Sequence, residues 1–190
     1  MVIDRRKMIV DAATKSFSQF GFKATTMDQV AKIANVGKGT IYTFFKTKEE
    51  LFDEITNSLI KEMKIAAQDS IDSSLTFQEN VHRALYRILE FRLEHQLTIK
   101  LFQEGKEMRT PAVMDVMERI EKAILNFIKE KIEKAIDKGE INRCDPELTS
   151  FVMLKLYIAL IFDWEKNHEP LEKERIAKVL EQYIFEGLSK

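Results

Sequence analysis

Cysteine, tryptophan, proline and glycine are all scarce in this 190-residue chain, which holds one Cys, one Trp, three Pro and six Gly. The lone Cys144 excludes an intramolecular disulfide and suits a reducing compartment, so a packed core must hold the fold. Beside Arg143 it reads as a loop thiol rather than a redox sensor. The three histidines, His82, His95 and His168, are dispersed, and neither His-x-x-x-His nor Cys-x-x-Cys occurs, so no metal site is expected. Gly-x-Ser-x-Gly and Gly-x-x-x-x-Gly-Lys are absent too, which removes the hydrolase elbow and the phosphate loop, and no cofactor is expected. The longest apolar run, residues 156–162, is far too short to span a bilayer. Residues 1–7 carry charge with no apolar segment behind it, unlike a signal peptide. A cytoplasmic protein without membrane contact is the expectation.

What the chain has is helix and charge. Hydrophobic residues make up 45% and charged residues 32%, with no strand-period alternation, internal repeat or low-complexity segment. The net charge of −1 conceals an asymmetry. Residues 1–48 hold nine basic and three acidic residues, a net of +6, and the remaining residues carry −7. A basic patch confined to a small segment is the electrostatic footprint of phosphate binding.

Within that segment, residues 25–51 read as two short helices around a tight turn, with a third helix following. Thr26 with Gln29, and Thr47 with Glu50, have capping-box spacing. Val30, Ile33 and Ala34 share one helical face, and Asn35 suits the left-handed position that ends a helix. Gly37-Lys38-Gly39-Thr40 opens the second helix, whose Ile41 and Phe45 turn inward together; Phe44 also reads as a core residue. This is the layout of a helix-turn-helix, in which the second helix enters the DNA major groove.

The run from Lys38 to Leu51, Lys-Gly-Thr-hydrophobic-Tyr leading into Phe and then Lys-Glu-Glu-Leu, resembles the DNA-binding domain of the TetR family of bacterial transcriptional regulators. Phe17, Gly21 and Phe22 fit the family's first helix and turn. The resemblance implies a dimeric, ligand-responsive repressor, with residues 1–47 binding DNA and residues 48–190 forming a helical effector-binding and dimerisation domain. It places Lys38, Gly39, Thr40 and Tyr42 at the groove and Thr26 and Lys48 on flanking phosphates, with Thr43 and Lys46 also among the DNA-binding residues. The chemistry suits this: Gly39 lets backbone approach DNA, and hydroxyls and ammonium groups reach phosphate oxygens. Two positions depart from the family pattern. Phe44 cannot hydrogen-bond, and Gly37 stands where a Ser or Thr usually caps the recognition helix.

An all-α fold of about nine helices is expected. The first helix covers residues 4–20 and ends at Gly21. A long helix follows Thr47, and Thr76 with Glu79 opens another. Thr110-Pro111 and Asp145-Pro146 are two further starts, and a last helix covers residues 171–188. The helix over residues 146–166 is apolar on nearly every side and must be covered. With its successor it suggests a two-fold homodimer through Tyr157, Ile158, Ile161, Phe162, Leu180, Tyr183 and Ile184. Such a dimer would hold two heads over a pseudo-palindromic double-stranded operator. The residues suggested for a small hydrophobic effector are Phe91, His95, Phe102, Met108, Met114, Met117, Phe127 and Trp164. Glu104 and Glu107 are either polar groups of that pocket or parts of a solvated helix face. Two other readings stand beside the regulator: a small all-helical enzyme using His95 as a base, and a protein-binding adaptor, which leaves the basic head unexplained.

Overall fold

The computed structural model describes residues 4–185, and its regular elements are helices: α1 (Arg5–Ala24), α2 (Met27–Ile33), α3 (Lys38–Phe44), α4 (Lys48–Asp69), α5 (Phe77–Glu94), α6 (Gln96–Met108), α7 (Pro111–Asp137), α8 (Pro146–Ile158) and α9 (Lys173–Leu180). The chain forms two compact units that cut across its long helices. The first runs through Glu62 and takes in Phe91–Ile120; the second takes in Met63–Glu90 and the chain from Glu121.

In the first unit, Asp4 caps α1 by accepting from Lys7 N at 3.0 Å. Ile9, Ala13 and Phe17, four apart, are fully buried along one face. The helical path breaks at Gly21, as the sequence suggests, with φ 84° and ψ 172°, a region open only to glycine. One further turn reaches Ala24. The break strips Phe22 and Lys23 of helical acceptors, and α6 supplies one. Glu104 Oε2 accepts from Phe22 N at 2.7 Å, and Oε1 accepts from Lys23 N at 3.1 Å and Thr110 Oγ1 at 2.8 Å.

Glu104 therefore belongs neither to a solvated face nor to an effector pocket; it is buried because three donors satisfy it. The same contact changes the start of α7. The Thr110 hydroxyl donates to Glu104, while its carbonyl receives the Val113 and Met114 amides. Phe17, Phe22 and Phe52 close over this region with ring centroids 4.6–5.9 Å apart. Arg119 ties α7 to α4 by donating to Asp53 at 2.9 Å and Thr56 at 3.2 Å.

The second unit follows its sequence signals at three helix ends. Thr76 and Glu79 form a reciprocal capping box, Glu79 accepting from Thr76 N at 2.9 Å and Thr76 from Glu79 N at 3.3 Å. Gly139, at φ 69°, closes α7 as Glu140 N returns to Ala135 O. Asp145 caps α8 by accepting from the Glu147 and Leu148 amides.

The end of α8 differs from expectation. Instead of continuing as an α-helix to residue 166, the chain widens into a π-turn over Ala159–Asp163 and then tightens into a 3-10 turn over Trp164–Lys166. A second π-turn, Glu181–Phe185, follows α9; the expected helix end near residue 188, with Leu188, lies outside the described residues.

Burial also divides the expected dimer surface. Tyr157, Ile161 and Leu180 are buried within their own chain, so they are core residues, not open contact surface. The Tyr157 hydroxyl sits 2.6 Å from His82 Nδ1, and burial pushes its pKa far above that of an ordinary phenol. Ile158, Phe162 and Ile184 are half-buried, and Tyr183 is 70% exposed. The open stripe of α8 is Leu148, Phe151 and Val152; the last two belong to the apolar helix from which the dimer was expected, and Leu148 was not among its named residues.

Removing the Glu104 carboxylate should leave one buried and two part-buried donors without an acceptor. Glu104→Ala is expected to lower unfolding free energy by about 3 kcal/mol in urea titrations, with Glu104→Gln intermediate. An unchanged midpoint would show that water replaces the carboxylate.

Candidate nucleic-acid interface

Two short helices and the turn between them build the surface. Thr26 caps α2, its Oγ1 accepting from Gln29 N at 3.2 Å, while Met27, Val30 and Ala31 face inward. Asn35 takes the left-handed conformation at φ 52°, and Val36 N returns to Ala31 O at 3.0 Å. The chain leaves α2 at the angle that this closure dictates. Gly37 then starts α3 with no side-chain cap, and its carbonyl receives the amides of Thr40 and Ile41.

The period of α3 sorts its residues. Ile41 and Phe45 are buried as expected, whereas Phe44 is 37% exposed and not a core residue. It lies about 100° around the axis from Phe45. Lys38, Gly39, Tyr42, Thr43 and Lys46 are exposed, and Thr40 is half-buried. Thr43 Oγ1 donates to Thr40 O at 2.6 Å, which leaves its lone pairs available as acceptors. Lys38 Nζ pairs with Asp28 at 2.8 Å, and the hydrogen bond and charge of Asp28 hold the ammonium above its usual pKa. Both partners are exposed, so the pair opens readily for a phosphate.

Gly39 is the informative position. A Cβ built on it meets nothing within 4 Å. Neither packing nor a left-handed backbone calls for glycine there, so the space beside it lies free for a ligand.

Lys48 is differently employed. Its ammonium donates to Phe22 O at 2.8 Å and Thr25 O at 2.9 Å and lies 4.2 Å from the Phe22 ring centroid. Two of its three donors are thus spent on the turn after α1, so it positions the helix-turn-helix first and has one donor left for a phosphate. The Thr47–Glu50 signal is also modified: Glu50 N donates to Thr47 Oγ1, but the Glu50 carboxylate reaches past Thr47 to Lys46 N at 2.8 Å. Sequence reasoning missed two further supports. Thr25 is buried, hydrogen-bonded to Ser16 and to Gly21 O. Arg6 forms a two-pronged pair with Glu54 and lies over the Phe45 ring.

The residues suggested for an effector pocket divide between the units. Phe91 is buried and stacks on His95 at 3.7 Å; Phe102, Met114 and Met117 are half-buried, and Met108 is 56% exposed. Met117 Sδ occupies the space where a Cβ on Gly105 would lie. In the second unit, Trp164 stacks on His168 at 4.0 Å and donates to Glu169 O. Of the eight, only Phe127 lines the cavity of about 250 Å³ in that unit. Glu107 is exposed. Among the described residues, no three His, Cys, Asp or Glu side chains are grouped to hold a metal ion, and no helix is long and apolar enough to cross a membrane.

Lys48→Met should expose the positioning role directly. It is expected to destabilise the protein by about 2 kcal/mol in urea, because two carbonyls lose a charged donor; no loss of stability would assign the side chain to solvent instead.

Residues 9–55 match the model of the bacterial regulatory proteins of the tetR family. The chain is 67% identical over 189 residues to the uncharacterized HTH-type transcriptional regulator YhgD of Bacillus subtilis (strain 168), covering 100% of this chain and 99% of that protein. Its fold is similar to that of the transcriptional regulator FadR from Bacillus subtilis, solved in complex with stearoyl-CoA, with a TM-score of 0.72 at 19% identity over 92% of this chain and 97% of that one. Salmonella enterica GusR superimposes with a TM-score of 0.72 at 20% identity, over 95% of each chain. The match to the tetR family model and the 67% identity to an HTH-type transcriptional regulator together make this chain a member of the TetR family of transcriptional regulators.

Proposed function

We propose that this regulator is a cytoplasmic repressor that binds a pseudo-palindromic operator as a homodimer and releases it when a small hydrophobic effector binds. Residues 1–47 would form the DNA-binding domain, and residues 48–190 the effector-binding and dimerisation domain. The observation that carries the DNA-binding part is the open space at Gly39 on the exposed face of α3, flanked by Lys38, Tyr42, Thr43 and Lys46. A glycine that the protein's own packing does not require marks a place where the backbone is approached from outside. Phosphate contacts from Thr26, Thr40 and Lys46 would fix the register of α3, and Lys38 would choose between a guanine edge and a phosphate.

The dimer rests on the exposed stripe Leu148, Phe151 and Val152 with Tyr183, since apolar side chains of this size gathered on one helix call for a cover. Two heads related by a two-fold would meet successive major grooves about 34 Å apart. That FadR was solved with stearoyl-CoA supports an apolar or acyl-bearing effector. Such a ligand acts only through its difference in affinity between DNA-competent and incompetent states.

The DNA assignment is tested by fluorescence anisotropy with the DNA upstream of the protein's own gene against a scrambled duplex at two salt concentrations. Sequence-preferring, strongly salt-dependent binding is expected, and equal affinity for both duplexes would contradict an operator at that position. Gly39→Ala separates function from stability. It should raise unfolding free energy by about 0.5–1 kcal/mol through helix propensity and yet weaken operator binding. Full affinity in this variant would remove the close approach at α3. For assembly, Phe151→Glu should convert a dimer to monomers in sedimentation equilibrium with unchanged circular dichroism, because the side chain is exposed within the protomer; a persisting dimer would place the interface elsewhere.

A further inference from the structure

The second unit contains a cavity of about 250 Å³ lined by the segment joining α4 to α5, the first turns of α5 and the last turns of α7. Its walls are apolar, with Leu75, Phe77, Val81, Leu85, Phe127 and Ile128 among them. The charged side chains that line it are Lys131, Lys134, Lys138 and Glu140, an excess of two positive charges. The lysines recur at three- and four-residue spacing and so share one face of the end of α7.

The cavity is held open. Asn80 stitches the segment before α5, its Oδ1 accepting from Asp72 N at 2.8 Å and its Nδ2 donating to Asp72 O at 2.8 Å and Leu75 O at 3.1 Å. Asp72 in turn accepts from Ser74 N and Oγ, and Arg83 Nε donates to Ser70 O at 2.8 Å. These bonds fix the wall before any ligand arrives, which lowers the ordering cost of binding.

The lysines are unequally satisfied. Lys138 pairs with Glu140 at 3.5 Å. Lys131 Nζ donates to the neutral amide of Gln68 at 2.7 Å and lies 5.0 Å from the Phe127 ring centroid, so no carboxylate balances it in these contacts. Burial, and then the positive charge of Lys134, hold its pKa below the usual lysine value, against a smaller opposite pull from the Glu130 carboxylate. Two neighbouring cations at the edge of an apolar cavity repel each other until an anion sits between them.

We propose that this cavity binds a small amphipathic anion, its hydrocarbon part among Phe77, Val81, Leu85 and Ile128 and its carboxylate head between Lys131 and Lys134. The volume lies below the ~300–1,000 Å³ of pockets that enclose drug-sized ligands, which restricts the occupant to one short chain or ring. As a ligand site it stands whether or not its occupancy alters DNA binding. Lysines near a helix C-terminus also complement the helix dipole, and that role alone would give no preference for an anionic ligand.

Isothermal titration calorimetry of the full chain without DNA tests the assignment, using decanoate and decyltrimethylammonium, which share a chain and differ in head charge. One decanoate per chain is expected, with the cation at least ~tenfold weaker, since head charge is read at close range. Lys134→Glu, at an exposed position, should weaken decanoate by at least ~tenfold while leaving circular dichroism unchanged. Ala84→Phe, which fills the wall, should abolish binding of the chain. No decanoate binding, equal binding of anion and cation, or decanoate binding indifferent to both substitutions would each overturn the proposal. Because the readout contains no DNA, its failure is separate from failure of the repressor reading.

Discussion

Where α1 stops and the helix-turn-helix starts is decided by one buried carboxylate. The break at Gly21 leaves the amides of Phe22 and Lys23 pointing away from any helical acceptor, and in an apolar interior each unpaired amide is costly. Glu104, from α6, takes both, and Thr110 satisfies the carboxylate from the start of α7. Gly21 and Glu104 require each other: a side chain on the glycine would run into the carboxylate, and without the carboxylate the break would expose buried donors. Lys48 completes the arrangement from the other side by holding the carbonyls of Phe22 and Thr25. The backbone leading into α2 is thereby held at Phe22, Lys23 and Thr25, not by side-chain packing alone.

Much of this was legible in the sequence wherever the determinant is local. Asn35, Thr26, Glu79 and Asp145 act within three or four residues of themselves, so spacing alone locates the helix ends they make. Ile41 and Phe45 follow from helical period. What could not be read were polar groups whose partners lie far along the chain. Glu104 and Phe22 are 82 residues apart, and nothing in the run around Glu104 distinguishes a buried carboxylate from a solvated one. The carbonyl contacts of Lys48 were hidden for the same reason, because a lysine opening a helix beside a DNA-binding motif has the same local sequence whether or not it also holds carbonyls. The apolar helices at the chain's end were recognised as needing cover, but which of their faces the protomer covers itself depends on the widened turn at Ala159–Asp163, which hydrophobic period does not announce.

The two proposed sites, the exposed face of α3 and the cavity of the second unit, would use different means of recognition. On α3 the side chains are exposed, and the surface is shaped by what is missing at Gly39. In the cavity the shape is imposed by backbone stitching through Asn80, and the charge is supplied by lysines in helical register. The first arrangement suits a long, uniform, charged partner met along a line; the second suits a compact molecule with one charged end.

The π-turn at Ala159–Asp163 has a consequence for how this region tolerates change. A π-turn holds one residue more than the α-helical path it replaces. Shortening it by a residue would restore a regular helix while rotating everything beyond it by about 100° around the axis. Trp164 and His168 would swing together to another side of the helix. Chain length in these five residues is therefore a dial for the direction in which the side chains beyond the turn point, adjustable without altering the buried Met153, Leu154 and Tyr157 of α8.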